Sequence, residues 1–284
     1  MAGLDWRLLH GIDRGRFREG RLQAHYAVQF LARAARAYIP PLADDGHTNM
    51  GWDARLDGFT THRLKGELRL GLKIADLTLA FSGDGAGSAQ VFPLNGRTDA
   101  QARAWLCERF DALGFDASRL DPPAPYEMPA HPIAAGSAYD AAGIADALAE
   151  LASWFANADL SLGFIRDEMI TREFAVSPLR CWPHHFDLAA LTALDPAPDG
   201  KARSVNAGLS PGDTYYDEPY FYVSPYPYPA AAALPNLPKL GHWHRRDFTA
   251  AVATAGQVLG AKDIRAETEA FLRAAIEASI KALG

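Results

Sequence analysis

Two short segments concentrate the residue types that could do chemistry: PHHFD, with His184, His185 and Asp187, and GHWH, with His242 and His244. If 182–188 is a strand, His185 and Asp187 project from one face about 6.6 Å apart, at about 3.3 Å per residue. Trp182, His184, Phe186 and Leu188 then share the other face. The same spacing pairs His242 with His244 across Trp243. Imidazole and carboxylate donors suit zinc, iron or manganese. The expectation is therefore a divalent transition metal held by His185, Asp187, His242 and His244. Glu218, from YYDEPYFY, would serve as a further ligand or general base, and His184 would stand behind the ligands or face the substrate. An ion with an open coordination position could activate water or polarise an oxygen of a small organic molecule. The competing reading of the same residues is a polar cluster without metal. In a helix, side chains two apart point to nearly opposite sides, so His242 and His244 would not chelate if their segment were helical.

Other features weigh less. Cys181 shares the face of His185 on the supposed strand, but four residues of strand separate them by about 13 Å, so a buried free thiol is the simpler reading. Cys107 sits inside a helical pattern beside Leu106 and reads as packing. The segment TYYDEPYFYVSPYPYP holds Tyr215, Tyr216, Tyr220, Phe221, Tyr222, Tyr226 and Tyr228 among four prolines. Tyrosine joins an apolar ring to a polar tip, which suits a pocket wall for a flat or acyl ligand. Equally, PYFYV reads as a strand with Phe221 turned inward and Tyr220 and Tyr222 on the opposite side. The glycines of SGDGAGS are followed by strand-like AQVFPL rather than a helix, so they read as a hairpin turn, and no nucleotide cofactor is indicated. His47, Asn49, Trp52 and Asp53 could join the same cleft if the two halves face each other.

These groups need elements to position them. Leu22, Tyr26, Phe30, Ala34 and Tyr38 recur every fourth residue until Pro40 and Pro41, which predicts an amphipathic helix from about Gly20. Alternating Leu68, Leu70, Leu72 and Ile74, then Leu77, Leu79 and Phe81, predict antiparallel strands. Asp99 opens and Gly114 closes a second helix through Ala102, Leu106, Phe110 and Leu113. A helix from about Asp140 follows, then strand-like stretches around 173–192, 203–209, 220–224 and 241–252. A last helix begins near Lys262. The fold class expected is α+β, antiparallel sheets with packed helices. Helix, about four strands, helix occurs twice, which suggests an internal duplication; one mixed sheet with helices on a face fits the pattern as well. The corresponding division is an N-terminal half (1–121), a Pro-rich connector (122–137) and a C-terminal half (138–284) carrying the candidate site.

Composition excludes several classes. The 284 residues are 49% hydrophobic and carry 28 Lys and Arg against 34 Asp and Glu, for a net charge of −6. No basic run exists to bind nucleic acid. No apolar stretch approaches the roughly 20 residues of a membrane span. Two cysteines without CxxC spacing fit a reducing compartment, so a cytoplasmic location is expected. The last helix turns Ile264, Phe271, Ala275 and Ile280 toward the body, a pattern for docking or a homodimer contact rather than a membrane surface.

The phrases SPLRCWPHHFDLA (177–189), SVNAGLSPG (204–212) and PYFYVSPYPYP (219–229) resemble the bacterial family catalogued as domain of unknown function 5996. DGFTT (57–61) and PPAPYEMPAHPIA (122–134) fall in the same order, so the similarity runs from about His25 to the C-terminus. The resemblance implies no activity, cofactor or catalytic residue. The family more usually has small or aromatic residues in place of His184 and His185, so a role for these two rests on this sequence alone. The leading expectation is a metal-dependent enzyme acting on a small organic molecule. The alternative is a non-catalytic small-molecule binding protein whose tyrosine-lined pocket uses the histidines as hydrogen-bonding partners.

Overall fold

The structure is a computed structural model, which describes residues 5–83, 90–120, 124–196, 200, 202–230, 234–237 and 240–284. It is an α+β fold with two antiparallel sheets. Its first helix, α1 (Arg14–Tyr38), starts six residues before the apolar pattern does, because the Asp13 carboxylate caps it by accepting from Arg16 N–H. The strands β1 (Gly51–Asp53), β2 (Gly58–Thr60), β3 (Arg69–Lys73), β4 (Thr78–Ser82) and β5 (Val91–Pro93) form a simple meander in chain order. The DGAG turn between β4 and β5 lies outside the described residues, but the two strands pair antiparallel, as a hairpin requires. Next, α2 (Asp99–Ala112) carries a full capping box from Thr98 and Gln101, and Gly114 beyond its end has φ +77°. Leu106 and Phe110 are buried as their spacing predicts, and Phe110 meets Tyr38 and Phe81 at ring centroids of 4.7 and 5.1 Å. That aromatic cluster joins α1, α2 and β4 into one core.

The helix α3 (Ala145–Thr171) begins five residues later than its composition suggests. Asp140 instead accepts from the Gly143 N–H, so its side chain stabilises a turn in competition with the helix. Then come β6 (Ala175–Val176), β7 (Arg180–Trp182), β8 (Asp187–Leu194), β9 (Arg203–Ser210), β10 (Tyr220–Tyr226), β11 (His242–His244), β12 (Ala250–Thr254), the short α4 (Ala255–Leu259) and α5 (Ile264–Leu283). The path through the second sheet is β11-β12-β10-β9-β8-β6. Helix, strands, helix does occur twice, but among the described residues the two sheets hold five and seven strands and differ in strand order.

By its contacts the chain forms two compact units. The N-terminal unit is Ile12–Ser153 with Cys181–Phe186; the C-terminal unit is Met1–Gly11, Trp154–Arg180 and Asp187–Gly284. The division therefore does not fall at 122–137. The described part of that Pro-rich stretch lies within the N-terminal unit, where Tyr26 donates to the Pro129 carbonyl at 2.6 Å.

In the C-terminal unit, strand alternation separates two chemistries. Leu188, Leu209, Phe221 and Ala253 stand opposite one another across four strands and are buried. Phe221 meets Trp154 of α3 at 6.3 Å, which marks this as the helix-packed face. α5 packs along β9, β10 and β12 and buries Phe271, Leu272, Ala275 and Ile276. The opposite face presents Tyr220, Tyr222, Asn206, Gly208, Asp187, His242 and His244. Among the described residues, no helix is long and apolar enough to cross a membrane.

Candidate functional site

The GHWH segment is a strand, so its two histidines do share a face. His242 stands opposite Val252 and His244 opposite Ala250 on β12. Both imidazoles reach the same group: the Tyr216 hydroxyl lies 2.9 Å from His242 Nε2 and 2.9 Å from His244 Nδ1. The proton order follows from one carbonyl. His244 Nε2 is 2.7 Å from the Arg246 carbonyl, which can only accept, so Nε2 carries the hydrogen and Nδ1 of the neutral ring is bare. Tyr216 therefore donates to His244 Nδ1, and its free lone pair accepts from His242 Nε2–H. Burial lowers the pKa of His242, assisted by the neighbouring His244, while a hydrogen bond to Gln257 works the other way. Burial, with the nearby Asp213 carboxylate second, raises the pKa of the Tyr216 phenol.

Packing fixes this cluster in orientation. His244 stacks on Phe248 at 4.2 Å and 26°, and Tyr216 leans on Tyr220 at 5.0 Å. Tyr220 donates to Asp213 at 2.6 Å, and Asp213 also accepts from the Tyr215 and Tyr216 N–H groups, which ties the loop carrying Tyr216 to the strand below it. Beside the cluster an open depression of about 350 Å³ is lined by Thr214, Tyr215, Tyr216, His244, Arg246 and Asp247. Two of these residues are joined directly, Tyr215 donating to Asp247 at 3.2 Å.

The aromatic strand behaves as its alternation predicts. Phe221 is fully buried on the helix side, and Tyr220 and Tyr222 cover the other. Tyr222 crosses β9 and donates to Asp187 on β8. It can do so because Gly208 lies beneath it: a Cβ there would sit 2.8 Å from the Tyr222 hydroxyl oxygen and 2.8 Å from the Ala189 Cβ. Burial raises the Tyr222 pKa, with the Asp187 charge adding to it, so the phenol keeps its proton for the carboxylate.

The other anticipated groups are placed differently. Residues 182–188 are not one strand: 183–186 form a turn, with Phe186 at φ +58° and its N–H on the Trp182 carbonyl at 2.7 Å. Pro183 has no N–H to give a ladder, and Phe186 turns into the core to stack on His25 at 5.2 Å and 9°. His185 and Asp187 consequently do not project from a common strand face. His184 and His185 belong to the N-terminal unit, with ring centroids 4.2 Å apart, while Asp187, Glu218, His242 and His244 belong to the C-terminal unit. Burial, and His185 after it, lowers the pKa of His184. Glu218 accepts from the Gly256 N–H at 2.8 Å in the first turn of α4. Cys181 is buried and exchanges backbone hydrogen bonds with Met50, and Cys107 is half-buried in α2. His47 accepts from the Leu42 N–H, Asn49 meets His62 at 2.8 Å, and Asp53 caps the turn at Arg55. Among the described residues, no three His, Cys, Asp or Glu side chains form a group that could hold a metal ion. Tyr216 is the member that residue spacing does not reveal, since it lies 26 and 28 positions from its two histidines.

In the N-terminal unit the turn is held by His25 Nε2 and Gln29 Nε2, which donate to the Pro183 carbonyl at 2.9 and 2.8 Å. Burial pulls the His25 pKa down from 6.5 to about 4. Its neutral form is favoured on folding, so its contribution is fully present above pH 6.5 and is lost as pH falls from 6.5 towards 4. Stability to urea should fall by roughly 3 kcal/mol across that window from this group alone. His25→Gln keeps a neutral donor for the Pro183 carbonyl and should flatten the profile; an equally steep profile in the variant would contradict the assignment.

No protein family, curated protein or solved structure matches the chain.

Proposed function

We propose that the C-terminal unit binds a small, flat organic molecule bearing an acidic group in the depression beside Tyr216 and His244. The observation that carries this reading is the lining: Tyr215 and Tyr216, with His244, Arg246 and Asp247, around a space of about 350 Å³. That volume lies at the lower end of small-molecule sites, and aromatic walls with a few convergent polar groups are their usual chemistry. His242 and His244 hold the Tyr216 hydroxyl between them, which fixes the tyrosine ring at the edge of the depression. The Tyr215 ring would stack on the ligand, and Arg246, whose side chain is 85% exposed, would turn from Asp247 to its carboxylate.

The test uses benzoate, 4-hydroxybenzoate and phenylacetate with the metal-free full chain, followed by nuclear magnetic resonance. Saturable shifts confined to 214–216 and 244–247 are expected, with affinity falling about tenfold or more in Arg246→Ala, the usual worth of a charge-assisted hydrogen bond. Shifts elsewhere, or affinity unchanged in Arg246→Ala and Tyr215→Ala, would refute the reading.

A further inference from the structure

We infer that His242 Nε2, His244 Nδ1 and the Tyr216 hydroxyl oxygen together form a three-donor site for one transition-metal ion. The inference deepens the proposed function, since the ion would sit at the edge of the same depression.

Two of the three donor pairs stand at the spacing of neighbouring ligands. Two donors each about 2.1 Å from an ion stand roughly 3 Å apart when they are adjacent in its coordination sphere. Both imidazole nitrogens are 2.9 Å from the Tyr216 oxygen. The outer partners follow the same logic. A ligating histidine gives its other ring N–H to a carbonyl, carboxylate or similar group, which sets the tautomer and aims the bare nitrogen at the metal. His244 does so through Nε2 to the Arg246 carbonyl at 2.7 Å, leaving Nδ1 bare. The rings are also held before any ion arrives, by the Phe248 stack on His244 and the Tyr220 contact under Tyr216. The depression leaves room for water or an organic acid to complete the sphere.

The donor set selects the metal class. Two imidazoles and a phenol suit ferric iron, cupric copper or zinc, and offer no preference to calcium or magnesium. Binding is a proton-for-metal exchange with no redox change: the Tyr216 O–H bond breaks, an oxygen-to-metal bond forms, and one proton leaves to solvent. His242 moves its ring hydrogen from Nε2 to Nδ1 as its Nε2 lone pair turns to the ion.

The full chain, stripped with chelator, is titrated calorimetrically with zinc, cupric and ferric ions, the last as a weak chelate. The expected result is one ion per chain, with about one proton released as judged from two buffers of different ionisation enthalpy. The cupric or ferric form should absorb in the visible from phenolate-to-metal charge transfer. Tyr216→Phe, which keeps the ring packing, should abolish that band and the proton release. His242→Ala with His244→Ala should weaken binding at least a hundredfold. Absence of stoichiometric binding by all three ions, or equal binding by wild type and the double variant, would overturn the inference. Failure here with intact benzoate binding by metal-free protein removes the metal and leaves the organic site standing; the converse result removes only the organic ligand.

Discussion

Gly241→Ala should lower the melting temperature by roughly 5–15 °C and separate the two histidines from Tyr216. Gly241 precedes β11 with φ +95°, a conformation that costs an L-residue about 1–2 kcal/mol. Space is equally short. An added Cβ would lie 2.4 and 2.8 Å from two carbons of the Phe271 ring and 2.8 Å from the Val252 carbonyl. Phe271 is buried in α5 and cannot swing away, so overpacking adds about 1–3 kcal/mol. The combined cost is roughly 2–5 kcal/mol, relieved most cheaply by lifting β11 off the sheet. Calorimetry checks the stability, and the resonances of His242 and His244 report the displacement. A variant with wild-type melting and unshifted histidine resonances would show that the strand start tolerates a side chain.

The largest loss from a single truncation is expected at Trp154, which is 1% exposed and packs on Phe221 beneath the sheet. Trp154→Ala removes the whole indole from a closed core and should cost about 3–5 kcal/mol, the transfer term plus the unfilled cavity. Trp154→Phe should recover a good part of it by keeping an aromatic ring. Tyr226→Ala provides the comparison, since that side chain is 60% exposed and its loss should stay within about 0.5 kcal/mol. Urea unfolding of the three variants orders them; equal midpoints for Trp154→Ala and Tyr226→Ala would deny Trp154 its structural place.

Much of the fold is legible where the signal is local. Asp99, Gly114 beyond the helix and the apolar spacing between them bound α2 without reference to anything distant. The alternation of Tyr220, Phe221 and Tyr222 likewise assigns the two faces of β10 before any partner strand is known. What escapes the sequence depends on pairing at long range or on unusual backbone. A phenylalanine at φ +58° breaks 182–188 into strand, turn and strand, and nothing about Phe186 as a residue type announces it. Strands of two and three residues, such as β6, β7 and β11, are too short to show a period. The histidine pair of GHWH is readable as i and i+2 on a strand, but its third member is not. Tyr216 reaches it only because β11 pairs with β12, β12 pairs with β10, and Asp213 ties the Tyr216 loop back to Tyr220.

The place of β11 in the sheet has a consequence of its own. Among the described residues it contributes three positions and has a neighbour, β12, on one side only. So brief a border discourages other chains from adding to it. It frays easily, because few backbone bonds hold it. Both imidazoles thus ride on a thin hem of the C-terminal unit, and whatever grips them together with Tyr216 would stitch that hem down.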